Sequence, residues 1–150
     1  MKMVSACLAG IPCRYDGNHK ENYELKELVI QGKAIALCPE VIGGLDIPRK
    51  PAEIVGGDGF DVWNGAARVK DIDGLDVTDA YLKGAKRTLE RLERLKIETV
   101  ILKEKSPSCG VCRIYDGTFS GKAKAGLGVT AAYLKLHGIE VLSDEEVKLG

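Results

Sequence analysis

The sequence has 150 residues, enough for one domain of ordinary size with a core that needs no disulfide staples. Its 22 Lys and Arg are matched by 22 Asp and Glu, and zero formal charge argues against nucleic acid or an acidic membrane as partner, so a small molecule is expected instead. The opening MKMVSACLAG is too short an apolar run for a signal peptide or a membrane span, since Gly10 and Pro12 end it, and a cytoplasmic protein is expected.

In chain order, MVSA (3–6) reads as a strand and NYELKELVIQG (22–32) as a helix. In the latter Tyr23, Leu25, Leu28 and Val29 recur near helical period and Gly32 stops the run. AIALC (34–38) is a second buried strand. Residues 39–76, with Pro39, Pro48, Pro51 and a cluster of glycines, read as a long irregular excursion with one short strand at ARVK (67–70). A loop of that length is uncommon unless it builds a site. From Thr78, read as an N-cap, the longest helix carries Tyr81, Leu82, Ala85, Leu89 and Leu92 on one stripe, with a charged face most simply solvated. ETVILK (98–103) is a strand, GVTAAYLKLHG (128–138) a helix and IEVL (139–142) a strand. Ser143 with Glu146 predicts a capping box that opens a short last helix. This alternation predicts an α/β fold with a mostly parallel sheet flanked by helices. CRYDG (13–17) and CRIYDG (112–117) echo one another, and two similar Asp-Gly turns account for the echo.

Five cysteines are an odd number, which disfavours a disulfide framework and favours metal-binding or catalytic thiols. Cys7 follows the first predicted strand, Cys38 ends the second and Cys109 lies shortly past ETVILK. In a parallel sheet, ligands bind beyond the carboxyl ends of the strands, so these three converge on one edge. Cys13 and Cys112 lie further out in glycine-rich loops, where they either join the site or stand clear of it. A thioredoxin-like dithiol needs a helix after its first cysteine, whereas CGVC is followed by the turn-like RIYDGTFSG. Structural zinc draws its ligands as close pairs. Cys109 and Cys112 form one, but five residues separate Cys7 from Cys13 and Cys38 is alone. Soft thiolates from separate loops also suit an iron-sulfur cluster, and a cubane held by three of them leaves one iron open.

SACLAG (5–10), CRYDG, LCPEVIGGLDIPRKPAEI (37–54), SPSCG (106–110) and IYDGTFSGKAKAGLGVTAAYL (114–134) together resemble, in order and over essentially the whole chain, the signature blocks of the 2-thiouracil desulfidase family. The resemblance implies a Rossmann-like domain holding a 4Fe-4S cluster on Cys7, Cys38 and Cys109, with the fourth iron free to take the sulfur of a thiolated pyrimidine. It marks Glu40 as the acid and Ser106 as the hydroxyl beside the cluster. It leaves Cys13 and Cys112 as possible additional ligands.

The implied chemistry is hydrolytic exchange of sulfur for oxygen. An open iron would polarise the C=S bond, Glu40 would act as general base and Ser106 would orient the ring. The implied substrate is a free thiolated nucleobase; thiolated uridine in RNA would call for a basic surface, and a non-catalytic zinc or iron-sulfur module is the third alternative. Asp16 and Asp116 each precede Gly in a YDG turn, where Asp commonly bonds its own backbone, and they and Phe119 are weaker candidates for touching substrate. His19 and His137 are isolated, and GLGVT (126–130) only faintly resembles a phosphate loop, without its lysine.

Overall fold

Met3 and Val4, both fully buried, sit in β1 (Lys2–Ser5), and a 3-10 helix, Ala6–Ala9, follows at once. The computed structural model describes residues 1–147. Asn22 caps α1 (Tyr23–Ile30) by accepting the N–H of Leu25 at 3.2 Å. Next come β2 (Ala34–Leu37), α2 (Pro39–Ile42), β3 (Ala52–Val55), α3 (Gly59–Trp63) and β4 (Arg68–Asp71). The rest are α4 (Thr78–Arg94), β5 (Thr99–Leu102), β6 (Arg113–Tyr115), β7 (Ala123–Ala125), α5 (Val129–Leu136) and β8 (Glu140–Ser143). Among the described residues no helix is long and apolar enough to cross a membrane.

The central sheet runs β2-β1-β5-β8 and every pairing is parallel, as the alternation of strands and helices predicts. Neighbouring residues of one strand face opposite ways. Met3, Val100 and Leu102 pack with Leu89 and Leu92 of α4, with Ala131 and Leu134 of α5, and with Cys109. Val4 and Ile101 pack on the other face with Leu25 of α1, and Cys7 and Cys13 belong to this second cluster. A third cluster, containing Ile54, Val69, Tyr81, Ile114 and Val129, fills the space beneath the excursion.

The excursion is more regular than its prolines and glycines suggest. β3 and β4 form an antiparallel hairpin, registered from Ala52 opposite Asp71 to Val55 opposite Arg68. α3 opens on a reciprocal cap: Asp58 Oδ1 accepts the N–H groups of Phe60 and Asp61, and Asp61 Oδ2 accepts that of Asp58. The stretch read as a turn after Cys112 likewise opens on a strand, β6, which pairs antiparallel with β7 just beyond it. Thr78 is the first residue of α4 rather than its cap, because its hydroxyl is engaged by Val69, whose N–H it accepts at 2.9 Å. The expected last helix does not start at Ser143, which instead ends β8. Its hydroxyl accepts the N–H of Glu145, the chain makes a turn over 144–146, and the end of that predicted helix lies outside the described residues.

Candidate active site

The strand order reverses between β1 and β5, and a cavity of about 480 Å³ opens beyond the carboxyl ends of β1, β2 and β5. Cys7, Cys13, Cys38 and Cys109 all line it, and all are free thiols. The 3-10 helix that breaks off β1 carries Cys7. Cys38 is the N-cap residue of α2 but makes no side-chain capping bond, so its sulfur is free to face the cavity. Cys109 is set by the loop after β5: Ser106 Oγ accepts the N–H groups of Ser108 at 3.1 Å and Cys109 at 3.0 Å. The same loop is locked to α5, whose first N–H groups, from Val129 and Thr130, donate to the carbonyls of Pro107 and Ser108 at 2.7 and 2.9 Å. The GLGVT helix terminus is therefore filled by the Cys109 loop and offers no phosphate site.

Cys13 joins the other three thiols. Its carbonyl accepts both terminal nitrogens of Arg49 at 3.2 Å and lies 3.9 Å from the Cys38 sulfur. Cys112 stands clear of the cavity, with its sulfur 3.4 Å from Glu146 Oε1. Burial, with Cys38 and Glu40 nearby, pushes the Cys109 thiol up to about 12. Contact with Cys13, then burial, pushes Cys38 up further. For Cys13 the lowering pull of Cys38 is outweighed by Cys7 and by burial, and the thiol rises to about 11. Such thiols keep their protons until a cation stabilises the thiolates, as a metal centre does.

Glu40 is anchored in the first turn of α2. Oε1 accepts the Tyr81 hydroxyl at 2.7 Å and lies 3.3 Å from Arg49 Nη2, while Oε2 faces the Ser106 hydroxyl at 3.4 Å. Burial and then the Glu40 charge hold the Tyr81 phenol well above its ordinary range, so Tyr81 is a donor here. What sets Glu40 over Tyr81 is a backbone-to-backbone contact between α2 and α4. A Cβ on Gly43 would fall 2.1 Å from the carbonyl oxygen of Ala80, and one on Gly84 would fall 2.1 Å from that of Pro39.

The sequence reading did not single out Tyr81 (beyond its apolar stripe), Arg49, Glu53 or Glu104, all of which line the cavity. Glu104 Oε1 accepts the N–H groups of Val111, Cys112 and Arg113 at 2.7, 2.9 and 3.1 Å and so ties down the chain beyond Cys109. Only the signature block holding Arg49 and Glu53 hinted at them. Phe119 lines the cavity, whereas Asp16 and Asp116 do not. Each accepts backbone N–H groups of its own turn, from Asn18 and Thr118. His19 accepts the N–H of Glu21, and His137 closes α5 against the Tyr133 carbonyl.

A single zinc ion, the alternative occupant, would take its ligands at one point. A cubane spreads its iron atoms over a larger body, and four sulfur donors around one cavity fit such a group. The chain matches the sequence pattern of the family described as 2-thiouracil desulfurase over residues 3–146. It belongs to that family. A relative, the uncharacterized protein YbbK of Bacillus subtilis (strain 168), is 50% identical over 147 residues, which is 98% of this chain and 97% of YbbK. A solved structure, the [4Fe-4S]-dependent thiouracil desulfidase TudS, is 44% identical and superimposes with a TM-score of 0.85 over 97% of this chain and 91% of that one. The Rossmann-like arrangement of a parallel four-stranded sheet flanked by helices is thus common to this chain and TudS.

Proposed function

We propose that this protein is a cytoplasmic desulfidase that replaces the sulfur of a free thiolated pyrimidine, of the 2-thiouracil kind, by oxygen from water. The observation that carries this reading is the convergence of Cys7, Cys38 and Cys109, from the ends of three parallel strands, on the cavity that also holds Glu40 and Ser106. The likeness to a [4Fe-4S]-dependent thiouracil desulfidase supports the identity of the cofactor. The three cysteines would hold a 4Fe-4S cluster with one iron lacking a protein ligand. When bound, it would supply a Lewis acid that polarises the C=S bond and accepts the sulfur.

The chain's own residues do the remainder. On Glu40, Oε1 accepts the Tyr81 hydroxyl and pairs electrostatically with Arg49, and Oε2 faces the Ser106 hydroxyl. A carboxylate has further acceptor capacity, so Glu40 would also bind a water, whose proton it takes as oxygen attacks the thiocarbonyl carbon. Atoms balance without electron transfer: one C=S and one water give one C=O and one hydrogen sulfide. Ser106 has a single proton, directed at Glu40 over a long 3.4 Å contact, and a pyrimidine carbonyl at closer range draws it away and is oriented by it.

The test is purification without oxygen followed by analysis of iron, acid-labile sulfide and zinc, then assay of uracil and sulfide from 2-thiouracil. Brown protein that forms both products in equal amounts is expected. Colourless protein with stoichiometric zinc would sink the reading.

A further inference from the structure

A phenylalanine stands where glycine is the ordinary choice. Phe119 has φ 56°, in the left-handed region, between Gly117 at φ 90° and Gly121 at φ 78° in the loop joining β6 to β7. For a bulky side chain this conformation persists only where the surroundings impose it. The constraint is visible. Glu53, buried on β3, uses Oε1 to accept the N–H of Gly117 at 2.9 Å and that of Phe119 at 3.2 Å. Gly117 presses so close to β3 that a Cβ there would lie 2.6 Å from the carbonyl oxygen of Ile54. Asp116, whose N–H donates to the Lys122 carbonyl at 2.9 Å, closes the loop from within. Phe119 is half-buried, belongs to none of the three core clusters, and lines the same cavity as Glu53 and the thiols.

We propose that Glu53 is a positioning residue that fixes Phe119 as the aromatic wall on which the planar substrate ring stacks. The proposal rests on the desulfidase reading and deepens it by naming what holds the ring face. The groups already assigned address the ring's edge: the cluster on the cysteines would face its sulfur, and Ser106 its carbonyl. They leave its two faces without a partner, and a ring free to tilt would not keep its thiocarbonyl carbon against the water on Glu40. An aromatic side chain supplies that face. The strained backbone at Phe119 is what places the side chain there, and the Glu53 carboxylate maintains it.

The test measures equilibrium binding of 2-thiouracil, and of uracil as an unreactive ring of the same shape, to cluster-loaded protein of verified iron content, beside KM and kcat. Base stacking on an aromatic residue corresponds to roughly a 5- to 150-fold loss of affinity on truncation to Ala. Phe119→Ala is expected to show a loss in that range, seen in KM more than in kcat. Glu53→Ala is expected to lose a similar factor, Glu53→Gln, which keeps an acceptor oxygen, to recover most of it, and the double Ala variant to lose no more than either single one. Losses that multiply in the double variant, or a Glu53→Ala protein that melts earlier but binds both rings as tightly as wild type, would overturn the proposal. Should Glu53→Ala not fold, Phe119→Leu decides: it keeps bulk but not the aromatic face, so weaker binding at an unchanged melting temperature supports the proposal and unchanged binding overturns it. Wild-type protein without iron or affinity for 2-thiouracil removes the desulfidase reading and this proposal with it. Tight wild-type binding indifferent to Phe119 overturns this proposal alone.

Discussion

Three protein groups grip one carboxylate at Glu40, and that grip sets what its replacement should do. Glutamine at this position still accepts from Tyr81 but takes no proton, so Glu40→Gln is expected to keep its iron and its affinity for 2-thiouracil while turnover falls ~100- to 10,000-fold. Near wild-type sulfide release from iron-replete Glu40→Gln would move the base elsewhere. Ser106→Ala should act chiefly on KM, although it also removes the acceptor for the Cys109 N–H. Single Ala variants of Cys7, Cys38 and Cys109 should each abolish cluster assembly. Cys112→Ala should not, since Cys112 lies away from the cavity, and Cys13→Ala is expected to assemble as well; iron analysis of the five variants checks the set. Glu104 offers a pH test. Burial raises its pKa, but the Ser143 hydroxyl and the N–H groups of Cys112, Arg113 and Val111 lower it more, to a value below the ordinary 4.5. A carboxylate with a depressed folded-state pKa stabilises the fold above its unfolded-state value, and that stabilisation is lost as pH falls through the folded one. Between neutral pH and about pH 3 the wild type should therefore lose more stability to urea than Glu104→Gln does. Equal losses would show that the carboxylate contributes nothing to the acid response.

Among the elements, the contact between α2 and α4 governs the site most directly. Glycines at 43 and 84 let the two backbones touch, and through that contact Tyr81 reaches Glu40. Gly84→Ala forces a Cβ into the Pro39 carbonyl. It is expected to destabilise the fold by about 1–3 kcal/mol and to cost turnover in the folded fraction, as measured by urea unfolding and sulfide release. An unchanged unfolding midpoint would mean that α2 shifts freely. Little of this was legible beforehand. α2 has four residues and α3 five, too short for an apolar period to develop, and prolines and glycines conceal the strands between them. The Asp58 and Asp61 pair was a readable cap in hindsight. α4, with seventeen residues and a sustained stripe, was plain from its sequence; only its first residue was misread, because the Thr78 hydroxyl serves a neighbouring strand.

At the scale of the whole molecule, the parallel sheet and the meeting of three cysteines at its carboxyl edge were legible because both follow from the order of strands and the position of each cysteine just past one. The distinction between Cys13 and Cys112 was not, since each sits in a similar CR-containing turn and only the tertiary course of the chain separates them. Air offers a test of the whole arrangement. A cluster with one iron unprotected by protein should decay on exposure, so aerobic storage is expected to remove iron and activity together. Full activity in iron-free protein would exclude the proposed chemistry. Finally, the sulfur donors do not belong to a single core: Cys109 packs on the face of the sheet covered by α4 and α5, and Cys7 and Cys13 on the face covered by α1. A group held by Cys7 and Cys109 together would be a rivet driven through the sheet's edge, joining the two hydrophobic layers. Loading the rivet would couple the melting of the two layers, so protein stripped of iron should unfold at a lower temperature and over a broader range than the loaded form.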